Sequence, residues 1–490
     1  MDWWDDAMTT VGRLRFSLAF LGAGALLLAT AGEPSSLIPE TVLGAARDYL
    51  ATVDKTERED LGAVLNASNC DPVQTVLALR PHPVSEVTPG YHRAEHFLVP
   101  ELGKRYPDDL LYYVVPESYT ARQPVALAVV MHGGAKGTER TMAHWYMRPD
   151  PKGSGLGRAF MDAGMIAVGP SAPISTKRWE RWCLPEADDY LRDVIVEMQS
   201  RFNIDPDRVF LLGHSMGGFG AYQHVQVQPD RFAAVLAHAG SWYTAYWPAI
   251  IGTPLWIVHG VHDSQPGGRP HYTDIAFARL TGKLLTKQGI VHEIREHPGQ
   301  HALPNGMPVI REFIARMPKL RRDPFQPRVV VASPRGWTVG DMRDAPHNRW
   351  LSIVETTPGK LVYDTTRHEG AKQFWGMPRE NWENWALKHA RQERPGAMAD
   401  ATNLGGNRFE VTTRNVRRFA IWLHPQMVDL SKPVRVRVNG APALEQLVQP
   451  SAVTALASYE RRRDWGLVYP ARMEVLVVPS VSQAELKAGP

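Results

Sequence analysis

The sequence predicts an α/β fold, in which a mainly parallel sheet carries helices on both faces, followed by a C-terminal β-rich unit expected to be a sandwich. Three observations predict it. Short apolar, β-branched runs alternate with helix-compatible stretches across residues 110–317. One of these runs enters a Gly-x-Ser-x-Gly turn, and beyond Pro327 the pattern changes to short strands separated by turn residues. At 490 residues the chain is long enough for two or three folded units, one unit taking ~150 residues. Hydrophobic residues at 44% and charged residues at 22% provide for a sizeable core and argue against disorder. The net charge of +4, from 55 Lys+Arg against 51 Asp+Glu, comes without a long basic run, which excludes a nucleic-acid groove. The densest basic cluster, Arg461-Arg462-Arg463, is expected in a solvated turn or at a strand edge.

Taken in order, Arg13 and Arg15 precede an apolar run over 16–29, and Ala29-Thr30-Ala31 has the small-x-small form of a cleavage site. Residues 1–31 therefore read as a secretory signal, with an uncleaved anchor as the alternative; the run is shorter than the ~20 residues that span a bilayer. After cleavage no stable membrane span is expected, and the protein is placed outside the cytoplasm, secreted or periplasmic. Only Cys70 and Cys183 follow, so one disulfide is permitted by export and not required. No His/Cys cluster has metal-ligand spacing, and neither a metal nor an organic cofactor is expected.

Residues 32–89 read as a small helical segment, since Leu43, Ala46, Tyr49, Leu50 and Val53 recur at three and four places and Pro72 suits a first helical turn. The α/β unit is expected over 90–324, with strands at 110–115, 125–131, 165–168, 209–212, 234–237, 255–259 and 291–296 and a last helix at 308–317. The β-rich unit, 325–490, is expected to hold strands near 328–332, 350–355, 360–364, 408–412, 419–423, 434–438 and 473–478, interrupted by a helix at 371–394 that carries Trp375, Trp382 and Trp385.

The chemistry is concentrated in the α/β unit. Val209-Phe210-Leu211-Leu212 runs into Gly213-His214-Ser215-Met216-Gly217-Gly218. A sharp strand-to-helix turn strains the serine backbone and leaves no room for side chains beside it, which is why glycines stand at 213 and 217. Such a turn aims the Ser215 hydroxyl outward at a helix N-terminus, where backbone amides favour developing negative charge. His214 is expected to point away and pack. Strand 125–131 delivers His132-Gly133-Gly134, so that the amide of Met216 and one from Gly133 or Gly134 can hold an oxyanion. Asp263 follows strand 255–259 and is the expected acid, with Asp274 as a rival better explained by helix capping. His301 follows strand 291–296 and is the expected base; His297 competes, and His292 lies inside the strand. The order Ser215, Asp263, His301 fits a serine nucleophile, a general base and an orienting carboxylate.

At these residues, together with Ile204-Asp205-Pro206-Asp207-Arg208-Val209 before the turn and Gly217-Gly218-Phe219-Gly220 after it, the chain resembles the α/β-hydrolase superfamily. The resemblance covers roughly 90–320 and is nearest to exported carboxylesterases related to polyhydroxybutyrate depolymerases and feruloyl esterases, and to prolyl-oligopeptidase-like hydrolases. It implies a serine hydrolase acting on an ester-bearing small molecule or polymer. His297-Pro298-Gly299-Gln300-His301 departs from the usual Gly-His form. From about 405 onward the chain resembles β-sandwich extensions of exported bacterial hydrolases, around 428–434 and Val438-Asn439-Gly440, which implies a structural, docking or homodimer-forming module. In this fold the loop holding Trp179 and Trp182 can line the mouth of the site; packing is the preferred reading of each tryptophan, with an aromatic substrate platform as the alternative. A serine peptidase with the same triad is the alternative enzyme. A catalytically inactive polysaccharide- or envelope-binding protein is the alternative from another class.

Overall fold

The computed structural model describes residues 38–81, 87–134, 140–150, 155–172, 181–263, 273–334, 346–366 and 379–478. The apolar run at 16–29, Trp179 and Trp375 lie outside them, as does the Trp382 side chain. Among the described residues no helix is long and apolar enough to cross a membrane.

The chain enters through α1 (Glu40–Ala51), α2 (Lys55–Ala67) and α3 (Pro72–Leu77). Asp54 and Asp71 cap α2 and α3 by accepting hydrogen bonds from the Glu57 and Gln74 amides, and Pro72 occupies the first turn of α3.

The α/β unit is built on β1 (Gly90–Ala94), β2 (Leu111–Val115), β3 (Val125–Met131), β4 (Ile166–Pro170), β5 (Ile204–His214), β6 (Ala234–His238), β8 (Leu255–Gly260) and β9 (His292–His297), with a short β7 (Thr244–Ala245) set apart from this sheet. The order across the sheet is β1-β2-β4-β3-β5-β6-β8-β9. From β4 to β9 neighbouring strands are parallel, while β1, β2 and β4 pair antiparallel. Between the strands run α4 (Pro100–Arg105), α5 (Met142–Met147), α6 (Gly157–Asp162), α7 (Pro185–Arg201), α8 (Met216–Val227), α9 (Ile275–Lys287) and α10 (Leu303–Arg316). Side chains of β3 and β5 alternate between two buried clusters. Leu127, Val129 and Leu211 pack with α7, α8 and α9; Ala128, Val130, Phe210 and Leu212 pack with α5, α6 and α10. A sheet buried on both faces by crossover helices, with a sharp strand-to-helix turn at Ser215 after β5, is the α/β-hydrolase fold.

Beyond it stand β10 (Arg328–Ser333), β11 (His347–Asn348), β12 (Leu351–Thr356), β13 (Lys360–Thr365), β14 (Arg391–Pro395), β15 (Ala397–Asn403), β16 (Arg408–Arg414), β17 (Val416–Leu423), β18 (Val434–Val438), β19 (Ala441–Gln446) and β20 (Ala471–Leu476), with α11 (Arg379–His389) and α12 (Ala452–Arg462). Two sheets, β10-β15-β16-β18-β19 and β11-β12-β17-β20, close on one apolar core that includes Val331, Trp350, Ile353, Phe409, Val411, Phe419, Ile421 and Val436.

The two units are stitched together. β13 pairs with β14 on one edge and with β7 on the other, through Asp364 opposite Ala245 and Thr365 opposite Thr244. A buried ionic seam lies nearby in the chain's fold. Arg322 makes a bidentate pair with Asp464, at 2.6 Å on both arms, and its Nε donates to Asp207 at 3.0 Å. The Arg349 amide donates to Asp230 at 2.9 Å, and Arg462 donates to the Arg349 carbonyl at 2.9 Å. Helices α1–α3 pack against α12, where Val42, Ala46, Leu65 and Val76 meet Ala455, Leu456 and Tyr459.

Three expectations change, and the open question of a disulfide is answered. The helix at 371–394 is, within the described residues, α11 alone; Arg391–Pro395 is β14, because pairing with β13 outweighs local helix propensity. The last helix of the α/β unit begins at Leu303, with Pro304 in the first turn and Pro308 inside the helix. Arg461-Arg462-Arg463 ends a helix that composition did not reveal, and Arg462 is buried with its guanidinium 4.7 Å from the Trp422 ring centre and 5.1 Å from that of Tyr469. Cys70 and Cys183 are not joined in a disulfide.

Candidate active site

Strand β5 ends at His214 and α8 begins at Met216, so Ser215 alone makes the turn, with φ 55° and ψ −116°. A non-glycine residue pays about 1–3 kcal/mol for such a backbone, which persists only when its surroundings enforce it. Here the Ser215 amide donates to the His238 carbonyl at 2.9 Å and the Ser215 carbonyl accepts from the Phe219 amide at 3.0 Å. A Cβ on Gly213 would stand 1.9 Å from the Gly217 carbonyl oxygen, and one on Gly217 would stand 2.1 Å from the Met131 carbonyl oxygen. Both contacts are with backbone, so neither position accepts a side chain.

The Ser215 hydroxyl lies 2.7 Å from His301 Nε2, and His301 Nδ1 lies 2.8 Å from Asp263 Oδ2. Asp263 is buried, while the His301 side chain keeps 38% of its surface open. Burial alone would push the Asp263 carboxyl up, but hydrogen bonds from His259 and His301 outweigh it and hold the group down to about 2. His259 Nε2 is 2.6 Å from the Thr273 carbonyl, an acceptor only, so this nitrogen bears the proton and can share it with Asp263 at 3.3 Å. With Asp263 ionised and accepting from Nδ1–H, the other ring nitrogen of His301, Nε2, is the one turned to the serine.

The loops behind these side chains are bound to each other. The Val261 amide donates to the His297 carbonyl at 2.9 Å and the His262 amide to the Gly299 carbonyl at 3.0 Å. A Cβ on Gly260 would stand 2.4 Å from the Gly299 carbonyl oxygen, so the acid and base loops meet backbone to backbone. The rivals are occupied elsewhere. His297 is buried behind the sheet end with Nε2 3.3 Å from His238 Nε2, Asp274 caps α9 by accepting from the Ala276 amide, and His292 contacts the Ile290 carbonyl at 2.8 Å.

The Met216 amide opens α8, a position with no helical carbonyl in reach. Gly134 is exposed and has φ 138°, which only glycine adopts readily. The Gly133 amide, expected as a candidate oxyanion donor, donates to the Tyr146 hydroxyl at 2.7 Å and is therefore spent inside the protein. Trp182 takes the packing role preferred for it, not that of a platform. It is fully buried, and its indole N–H donates to the His132 carbonyl at 3.1 Å, so it braces the loop from within and offers no substrate platform.

Three residues near the site escaped the sequence reading. His214 was expected to pack, yet its ring contacts Tyr146 at 2.6 Å and the His301 carbonyl at 2.8 Å. Tyr146 sits on α5 in no motif, and nothing in the sequence marks it. His259 stands four places before Asp263 at the end of β8, a spacing that could have suggested a second partner for the carboxylate.

Residues 142–261 match the prolyl oligopeptidase family, a range that holds Ser215 and stops short of Asp263 and His301. A stretch of 115 residues is 32% identical to the protein named "Putative esterase NocK" from Nocardia uniformis subsp. tsuyamanensis, covering 23% of this chain and 32% of that protein. The match therefore spans about a third of that relative's length. Among solved structures, a thermostable esterase superposes with a TM-score of 0.36 and 19% identity, over 44% of this chain and 60% of that one. A fluorophosphonate-binding serine hydrolase of Staphylococcus aureus superposes with a TM-score of 0.35 and 15% identity, over 47% of this chain and 99% of that one.

Proposed function

We propose that this protein is an exported serine hydrolase that cleaves carboxylic esters through Ser215, His301 and Asp263. The observation that carries the reading is the unbroken hydrogen-bonded line from the strained Ser215 through His301 to a buried, ionised Asp263, at 2.7 and 2.8 Å. In this reading His301 takes the hydroxyl proton as Ser215 Oγ attacks the ester carbonyl carbon. The amides of Met216 and Gly134 receive the oxyanion, each such donor being worth about 2.7–4 kcal/mol in the transition state. His301 then protonates the departing alkoxide, an acyl-enzyme remains on Ser215, and water activated by the same imidazole releases the acid. Asp263 fixes the tautomer and stabilises the imidazolium. These steps need no metal or organic cofactor.

The test is a fluorophosphonate probe on the full-length protein with mapping of the labelled peptide. Labelling at Ser215 that disappears in Ser215→Ala supports the reading, and a folded protein that stays unlabelled overturns it. The match to the prolyl oligopeptidase family favours a second reading, amide hydrolysis by the same residues. Turnover of p-nitrophenyl esters against peptide anilides separates the two. Export rests on Arg13, Arg15 and the Ala29-Thr30-Ala31 site, and a mature protein from the native host that starts at Gly32 would support it. Homodimerisation through the β-rich unit is checked by the mass of the protein in solution.

A further inference from the structure

We propose that Tyr146 and His214 are positioning residues for the reaction assigned above: together they form a strut that fixes the oxyanion loop against the loop carrying His301. The proposal rests on that assignment and goes beyond it in naming what holds the two loops in register.

Every donor and acceptor along the strut follows from the geometry. His214 Nε2 lies 2.8 Å from the backbone carbonyl oxygen of His301. A carbonyl only accepts, so Nε2 bears a proton. The ring is buried, and burial holds its pKa down to about 4, so it is neutral at physiological pH and Nδ1 keeps a lone pair. The Tyr146 hydroxyl, 2.6 Å away, must then donate to Nδ1. Its oxygen is left to accept the Gly133 N–H at 2.7 Å. The chain thus runs in one direction, from Gly133 through Tyr146 and His214 to His301, an arrangement in which each bond polarises the next.

The ends of the strut are backbone atoms one residue from, or within, the reacting groups. Gly133 precedes Gly134, His214 precedes Ser215, and His301 is the base itself. The strut also decides which amide is offered to substrate, since the Gly133 N–H is turned inward. No side chain fits at its start: a Cβ on Gly133 would stand 2.7 Å from the Tyr146 hydroxyl oxygen and 2.9 Å from His214 Nδ1. The far side is closed by His238, whose ring stacks on that of His214 at 4.8 Å. A displacement of either loop must therefore break a hydrogen bond or push into packed rings.

The experiment compares Tyr146→Phe, His214→Gln and His214→Phe with the parent in the full-length protein, by steady-state p-nitrophenyl acetate hydrolysis and by the second-order rate of fluorophosphonate labelling. Loosening the loops costs alignment in the transition state, so kcat and the labelling rate of Tyr146→Phe are expected to fall together by about 10- to 100-fold. KM is expected to stay within about twofold, because neither residue touches substrate. His214→Gln, whose amide can still donate to the His301 carbonyl, is expected to retain more activity than His214→Phe. A Tyr146→Phe protein that keeps kcat and labelling rate within about twofold of the parent overturns the proposal alone. If His214→Phe does not fold, Tyr146→Phe still decides. An unlabelled, inactive parent overturns the hydrolase assignment and the proposal with it.

Discussion

Two buried polar clusters sit in this molecule, and they are held in opposite ways. Around Ser215 the ionised Asp263 opens through His301 to the surface. At the seam between the α/β unit and the β-rich unit the groups are charged and closed in: the Arg322 side chain is 0% exposed and that of Asp464 is 4%. Burial pulls Arg349 and Arg462 down to about 10, while the neighbouring His347 and the guanidinium groups of Arg231, Arg349 and Arg462 overcome the burial of Asp230 and hold it at about 2. The first cluster has a free end at which chemistry can happen. The second has none, and its carboxylates and guanidinium groups are used against each other.

The contrast is sharpest under substitution. Asp263→Asn keeps the packing and removes the charge that sets the His301 tautomer, so turnover is expected to fall by about 10⁴-fold with little change in melting temperature. A variant that unfolds and stays active per folded molecule would reverse the roles given to the two clusters. Asp464→Ala should unfold more readily while staying active, since it breaks the buried bidentate pair and leaves Arg322 only Asp207 as a carboxylate partner, a loss of about 3–5 kcal/mol. The measurement is urea unfolding, alongside kcat per folded molecule, which is expected to stay near the parent value. Acid gives the smallest effect. Asp230 and Asp263 both have folded values near 2, below their ordinary range, so the stability that they contribute is complete above about pH 4 and is lost as the pH falls toward 2. For the closed-in Asp230 this amounts to about 2 kcal/mol, and Asp230→Asn should flatten the decline in stability across that window.

The same two clusters show what a sequence discloses. Ser215 and Asp263 each follow an apolar strand and His301 follows the next strand in the chain, so motif and chain order point to them before any geometry is known. Gly213 and Gly217 are readable for the same reason, because a tight turn has only one kind of residue to use. The seam draws Asp207, Asp230, Arg322, Arg349, Arg462 and Asp464 from distant parts of the chain, and each looks locally like an ordinary surface charge. Arg462 illustrates the difficulty: inside Arg461-Arg462-Arg463 nothing distinguishes the buried guanidinium from its neighbours. Tyr146 was missed because it belongs to no motif and its partners, the Gly133 amide and the His214 ring, lie on other elements that no local pattern connects to it. The strand β14 was misjudged because its identity comes from pairing with β13, more than twenty residues earlier in the chain, not from its own residues.

The packing of α1–α3 on α12 sets a timetable for making the protein. On a ribosome, Leu65 emerges nearly 400 residues before Ala455 and Leu456, the residues that cover its neighbourhood. At about 5–20 residues per second that is a wait of roughly 20 to 80 seconds. Throughout it Val42, Ala46, Leu65 and Val76 have one another but not α12, and a holdase that binds nascent apolar helices would find its target in this interval.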